Sequence, residues 1–155
     1  FLIGDDYLAS KLLPFYEKMK SIWKLCRDYP FSTLCIIVIW ILCIIPIPET
    51  PLSEVSMIDK WTHLVMYGGL CAMIWTERAR LRLTSDRRGM VVYALLLPIV
   101  MGGVIELVQA YCTGGTRSGE WLDLAADSLG VLIGQPIGML LVACHARWRK
   151  GRAED

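Results

Sequence analysis

Three stretches of this sequence place ionisable residues at helical spacing inside otherwise apolar segments. Asp59, His63 and Tyr67 are spaced i, i+4 and i+8, so on a helix they lie roughly on one face. The same kind of spacing recurs in two later stretches: Gly102, Glu106 and Gln109, and then Asp123, Asp127, Gly130 and Gly134. An ionisable residue within an apolar helix has to pair or face water. The spacing therefore predicts three helices that direct polar side chains toward one site.

Three kinds of chemistry are open to such a group. A buried carboxylate close to a histidine, here Glu106 and His63, has a shifted proton affinity and can act in general acid–base catalysis. Carboxylates together with His63 can also bind a divalent cation. Lys60 and Arg117 can instead bind a phosphate group. The sequence does not select among these possibilities, and the cofactor or metal stays open.

The acidic residues also have structural interpretations. Asp59 follows a serine by three positions, as in a capping box at the start of a helix. Glu106 could form an ion pair with Lys60 or Arg117, because a carboxylate below the membrane surface needs a partner. Glu120 is best explained as a first-turn acid that the helix dipole stabilises.

Four apolar runs supply the helices that would carry these residues. The composition is 55% hydrophobic, above what a small soluble core needs. A span of a membrane requires about 20 mainly apolar residues. The predicted spans are about 31–47, 57–76, 90–111 and 121–143. The first closes at Pro46 and Pro48, whereas Pro98 inside the third is tolerable and predicts a kink.

Charge predicts the orientation of these spans. All but two of the 16 Lys and Arg residues fall on one side of the four-span arrangement, and the exceptions are Lys60 and Arg117. Cytoplasmic loops collect Lys and Arg, so both termini and the loop 77–88 are expected in the cytoplasm. The polar site would then face outward. Aromatic residues fall at the predicted interfaces, as in an aromatic belt: Trp61, Trp75, Tyr111, Trp121 and Trp148.

The segments outside the membrane domain are short. Residues 1–28 form an N-terminal cytoplasmic or interfacial segment, of which residues 1–18 are either an upstream extension or native sequence. An apolar stripe there predicts an amphipathic interfacial helix: Leu8, Leu12, Phe15, Met19, Ile22, Trp23 and Cys26. Residues 29–144 form the membrane domain, and residues 145–155 form a basic cytoplasmic tail. The basic residues are explained by orientation, so nucleic-acid binding is not expected.

Glycines and cysteines in the apolar runs are interpreted as packing residues. Gly130, Gly134 and Gly138 form a ladder at four-residue spacing, which lets another helix backbone approach closely. Packing within the chain is favoured over a dimer, with Gly68-Gly69 and Gly102-Gly103 as candidate partners. The six cysteines show no metal or redox spacing and are interpreted as small apolar fillers.

At these motifs the chain resembles the VanZ-like family of small bacterial membrane proteins, over about residues 31–143. The matching residues are Asp59-Lys60-x-x-His63-x-x-x-Tyr67, then Glu106-x-x-Gln109, and then Arg117, Asp123, Asp127, Gly130 and Gly134. One position departs from the pattern, because the family commonly has Asn where this chain has Asp127. The resemblance implies a polytopic α-helical protein of the bacterial cytoplasmic membrane. The founding member is associated with resistance to the glycopeptide teicoplanin, and no reaction is attached to the family.

Two functions are therefore expected, and they use the same residues. In one, an all-α bundle of four transmembrane helices acts at the outer leaflet on a lipid or lipid-linked cell-envelope precursor, with Glu106 and His63 as acid–base pair. The ligand-binding residues would be Asp59, Lys60, Tyr67, Gln109, Arg117, Asp123 and Asp127. In the other, slightly favoured, the protein is a non-catalytic scaffold or binder of envelope lipids, a lipoglycopeptide or a partner, and the polar residues join the helices.

Overall fold

A computed structural model describes residues 3–45, 57–114 and 119–154, with side chains between residues 12 and 152 of these ranges. Every regular element within the described residues is helical. The elements are α1 (Ile3–Asp28), α2 (Pro30–Ile44), α3 (Ile58–Arg80), α4 (Arg87–Met90), a π-helical turn (Val91–Leu96), α5 (Leu97–Cys112) and α6 (Trp121–Glu154). The predicted all-α class is confirmed.

Within the part of the chain that the structure describes, two helical stretches are long and apolar enough to cross a membrane. They are Arg87–Cys112 and Trp121–Arg152, which contain the predicted third and fourth spans. The segments Leu12–Asp28 and Pro30–Ile44 meet at an angle of 100°. They would add a third candidate span only if the pair were one bent span. Helix α2 has 15 described residues, and α3 carries charges at both ends. The first two predicted spans therefore rest on the sequence alone.

The predicted N-terminal helix forms as α1. Its apolar residues Leu12, Phe15, Met19 and Trp23 are all exposed, and the helix has little contact with the rest of the protein. The sharp turn into α2 has a local cause, because Pro30 disfavours helical geometry in Tyr29 before it and suits the first position of the next helix. This geometry fits a helix that lies along a surface.

Helices α3 and α6 make the most extensive contact of the fold, and the glycine ladder lies within it. A methyl group on Gly134 would come within 2.6 Å of the Gly68 carbonyl oxygen, and one on Gly138 within 2.6 Å of the Trp75 side chain. Gly130 approaches the backbone of Leu64 in the same way. The ladder packs within the chain, and of the predicted partners Gly68 contacts it. Gly102 and Gly103 approach Asp127 and Leu124 instead, and nothing lies within 4 Å of a methyl group on Gly69.

The π-helical turn Val91–Leu96 immediately precedes Pro98, where the sequence predicts a kink. Proline has no N–H, so the carbonyl of Ala94 four residues earlier loses its helical partner. Two side chains from other helices replace it: Gln135 Nε2 donates to Ala94 O at 2.7 Å, and Cys71 Sγ lies 3.3 Å from the same oxygen. Gln135 Oε1 also accepts from Trp75 Nε1 at 2.7 Å. The irregular backbone is thereby satisfied inside the bundle.

The loop predicted over residues 77–88 starts later in the structure than the sequence indicates. Helix α3 continues to Arg80, and both Glu77 and Arg78 are buried. Arg78 donates to Tyr29 Oη at 3.1 Å and to Asp86 Oδ2 at 2.9 Å, and its guanidinium lies over the Tyr93 ring. Hydrogen bonding to the Gly89 N–H and the nearby Arg78 charge hold the pKa of Asp86 below its usual value. The predicted tail is also helical, because α6 runs without a break to Glu154.

Candidate functional site

The three predicted polar faces meet at one end of the α3–α5–α6 contact. His63 lies in the second turn of α3, Glu106 lies in α5, and Asp127 lies in the second turn of α6. All three side chains are buried. We call the following residues the polar cluster: Asp59, Lys60, His63, Glu106, Glu120, Asp123 and Asp127.

His63 and Asp127 form the innermost pair of the polar cluster. The two atoms His63 Nδ1 and Asp127 Oδ1 lie 2.9 Å apart, and the side chains are 2% and 0% exposed. The second oxygen, Asp127 Oδ2, is buried without a hydrogen-bond partner among the described residues. Gly102 makes room for it, since a methyl group there would lie 2.5 Å from Asp127 Oδ2. The glycine in the predicted face of α5 thus has a specific role.

Glu106 joins α5 to the start of α6. Its Oε2 accepts a hydrogen bond from the backbone N–H of Glu120 at 2.8 Å, immediately before α6 begins. Its Oε1 is buried, and the described part of the chain supplies no partner for it. The alternative interpretation, an ion pair of Glu106 with Lys60, is not found among the described contacts, in which Lys60 pairs with Glu120 and Asp123.

Lys60 neutralises part of the acidic charge at the outer edge of the polar cluster. Its Nζ lies 2.6 Å from Glu120 Oε2, 3.0 Å from Asp123 Oδ1 and 3.9 Å from Asp59 Oδ2. Glu120 is therefore a member that sequence reasoning missed, since its position at a helix start was explained by the dipole alone. A contact between residues 60 positions apart has no signature in local spacing.

Three predicted site residues remain, namely Tyr67, Gln109 and Arg117. Tyr67 Oη and Gln109 Oε1 are buried and without partners in the described ranges, while Gln109 Nε2 donates to the Cys43 carbonyl of α2 at 2.8 Å. Arg117 lies outside the described residues. The serine of the expected capping box also lies outside them, and α3 begins after Met57 with no side-chain cap.

An apolar groove runs between α5 and α6 and reaches the polar cluster. Its volume is about 480 Å³, and its walls include Val104, Leu107 and Leu124. Glu106 and Glu120 are the acidic residues of its lining. A groove with an apolar wall and a few polar groups is the usual form of a small-molecule site. Chemically, this one suits a molecule with a hydrocarbon part and a polar end.

Two groups of side chains in the polar cluster could hold a metal ion. Asp59, His63 and Asp123 form one, and His63, Glu106 and Asp127 form the other, with potential ligand atoms within 4.8 Å of one another in each. His63 belongs to both.

In comparisons with protein-family models, curated proteins and solved structures, nothing matches this chain.

Proposed function

We propose that this protein is a VanZ-like integral membrane protein that binds a cell-envelope lipid or lipid-linked molecule at the polar cluster. Four spans with both termini in the cytoplasm would put the polar cluster in the outer half of a bacterial cytoplasmic membrane. The distribution of Lys and Arg supports this orientation. The two stretches that are long and apolar enough to cross a membrane support membrane insertion.

One observation carries the proposal: a residue that lines the apolar groove has a buried carboxylate that is only half satisfied. Glu106 lines the groove, its Oε2 is bonded, and its Oε1 has no partner in the described residues. An unsatisfied buried polar group lowers stability, and a charged one does so by more. A ligand whose hydrocarbon part fills the groove can bring a donor or a cation to this oxygen.

The other residues of the polar cluster take roles that follow from their contacts. Without a bound metal ion, Glu106 and the His63–Asp127 pair would be the groups available for proton transfer, since a carboxylate and an imidazole lie in one buried site. Lys60, together with Arg117, would bind an anionic headgroup by exchanging its present contacts with Glu120 and Asp123. Asp123 and Asp127 would orient the two basic partners, Lys60 and His63.

Filling the groove tests the proposal. Gly103 lines the groove, and a side chain there would first meet Leu124, so Gly103→Leu occupies the space that a lipid chain would use. Gly69→Leu is the matched control, because nothing lies within 4 Å of that position. The measurement is the melting temperature in detergent with a polyprenyl phosphate, phosphatidylglycerol or teicoplanin. A ligand at a hundred times its Kd should raise it by about 5–10 °C.

We expect at least one of these molecules to stabilise the wild type and Gly69→Leu equally, with the effect lost in Gly103→Leu. Absence of any stabilisation in the wild type would overturn the proposal. A ligand effect that persists in Gly103→Leu would show that the groove is not the binding site.

A scaffold function is the second candidate, and specific contacts favour it. The bonds His63–Asp127, Lys60–Glu120 and Glu106–Glu120 join α3 and α5 to α6 or to the residue before it. If these contacts serve only the fold, substitutions in the polar cluster should lower stability in proportion to any loss of function. The final experiment of the Discussion separates the two candidates.

A further inference from the structure

Three side chains of the polar cluster have the composition of a transition-metal site. His63 offers an imidazole nitrogen, and Glu106 and Asp127 each offer a carboxylate oxygen, on three different helices. All three residues are more than nine-tenths buried. Zn²⁺ and related ions accept imidazole nitrogen together with carboxylate oxygen, whereas Mg²⁺ and Ca²⁺ prefer oxygen alone.

The hydrogen bonds of these carboxylates point to a ligand that the fold itself does not supply. Each has one bonded oxygen: Glu106 Oε2 accepts from the Glu120 N–H, and Asp127 Oδ1 contacts His63. Each also has one buried oxygen, Glu106 Oε1 and Asp127 Oδ2, for which the described residues give no partner. Two carboxylates that each have such an oxygen lie beside one imidazole, with one possible ligand atom from each residue within 4.8 Å of the others. This is a concentration of acidic groups that a cation would neutralise.

The charges nearby distinguish this group from the overlapping one. In the group of Asp59, His63 and Asp123, the Lys60 ammonium already lies 3.0 Å from Asp123. A positive charge at that distance repels a metal ion. No such contact of Lys60 with Glu106 or Asp127 is present in the described residues, so the inner group is the better site.

We propose that His63, Glu106 and Asp127 bind one Zn²⁺ ion, or a closely similar divalent transition-metal ion. Atoms bound to the same zinc lie at most about 4.2 Å apart, because each bond is about 2.0–2.2 Å long. The ligand atoms, now within 4.8 Å of one another, need only a small approach. Three protein ligands leave one position of a tetrahedral site open. The proposal does not depend on lipid binding.

Zinc titration of the full chain in detergent, after removal of metals with EDTA, tests the inference. The readouts are zinc per chain by elemental analysis and affinity by calorimetry, with Mg²⁺ as the comparison ion. We expect one Zn²⁺ per chain and an affinity for Mg²⁺ that is at least tenfold lower. Glu106→Gln and Asp127→Asn keep the side-chain shape and should each weaken zinc binding at least tenfold.

Three further variants make the result specific. Asp59→Asn should change the affinity less than threefold, because Asp59 belongs to the other group. Gly102→Ala should weaken binding without removing a ligand, since its methyl group would lie 2.5 Å from Asp127 Oδ2. Gly103→Leu should fill the apolar groove and leave zinc binding intact. A failure of the zinc proposal can therefore be distinguished from a failure of the lipid-binding proposal.

Two results would overturn the zinc proposal. One is a wild-type protein that is folded by circular dichroism and gel filtration and takes up no zinc. The other is a zinc affinity that Asp59→Asn reduces and Glu106→Gln does not, which would assign the metal to the outer group.

Discussion

Two buried glutamates of this protein differ in how their oxygens are satisfied. Glu77 uses both: Oε1 accepts from the Phe31 N–H at 2.8 Å, and Oε2 accepts from the N–H and hydroxyl of Ser32. It thereby caps the start of α2, where a negative charge is also favoured by the helix dipole. Glu106 uses one oxygen and leaves the other without a partner in the described residues. The contrast favours a structural role for Glu77 and a ligand role for Glu106.

Replacing Glu77 should therefore destabilise the protein. Glu77→Gln leaves only one acceptor oxygen and turns an NH₂ group toward backbone donors. We expect the free energy of unfolding to fall by about 1–3 kcal/mol, measured by denaturant unfolding in detergent. Glu17→Gln makes the same chemical change on the exposed surface of α1 and should stay within about 0.5 kcal/mol. Equal stabilities of the two variants would contradict the capping role.

At the residue scale, the sequence predicts polar residues that share a helix face and misses those whose partners are distant. His63, Glu106, Asp123 and Asp127 were predicted from spacing, and all are buried at one site. Arg78 was interpreted as a loop residue, because a hydropathy pattern records its charge and not its partners. Its contact with Tyr29 spans 49 positions and appears only when the helices are packed.

At the scale of elements, close backbone contact between α3 and α6 fixes the position of the polar cluster. The glycine ladder of α6 lies against Leu64, Gly68 and Trp75 of α3, in the turns that follow His63. Without side chains between them, the two helices approach closely. This approach lets His63 and Asp127 come within 2.9 Å of each other.

A methyl group in this contact should separate the helices. In Gly134→Ala the added Cβ would lie 2.6 Å from Gly68 O and 2.7 Å from Cys71 Cβ, neither of which can move alone. We expect a loss of about 1–3 kcal/mol in unfolding free energy. Gly69→Ala adds the same group where nothing lies within 4 Å, and should be neutral or stabilising because alanine favours helix. Thermal unfolding of the pair is the measurement, and equal losses would contradict close packing at Gly134.

Helix starts were predicted better than helix ends. The fourth helix begins at Trp121 as predicted, since the sequence before it is rich in glycine and polar residues. Helices α3 and α6 both extend beyond their predicted apolar spans, to Arg80 and Glu154. Hydropathy marks where a helix leaves an apolar environment, whereas hydrogen bonding and helix propensity decide where it stops.

For the whole molecule, the two ends of the α3–α6 contact have different polar chemistry. At the Arg78 end, the described contacts of Arg78 and Glu77 include several hydrogen bonds each. At the Lys60 end, the polar cluster keeps buried carboxylate oxygens without partners in the described residues. Proteins retain such unfavourable arrangements mainly at functional sites, where activity is favoured over stability. The central claim is that the polar cluster is maintained for a ligand.

The unfolding free energy of Glu106→Gln, without added ligand, tests this claim most directly. The glutamine oxygen can still accept from the Glu120 N–H, and its NH₂ group replaces the oxygen that lacks a partner. The change also removes an ionisable carboxyl group, whose charged form is costly to bury. Gln135→Leu is the control, because it breaks the bonds to Trp75 and Ala94 and should lower stability by about 1 kcal/mol or more. We predict that Glu106→Gln is at least as stable as the wild type, and a loss of more than about 1 kcal/mol would show that Glu106 serves the fold.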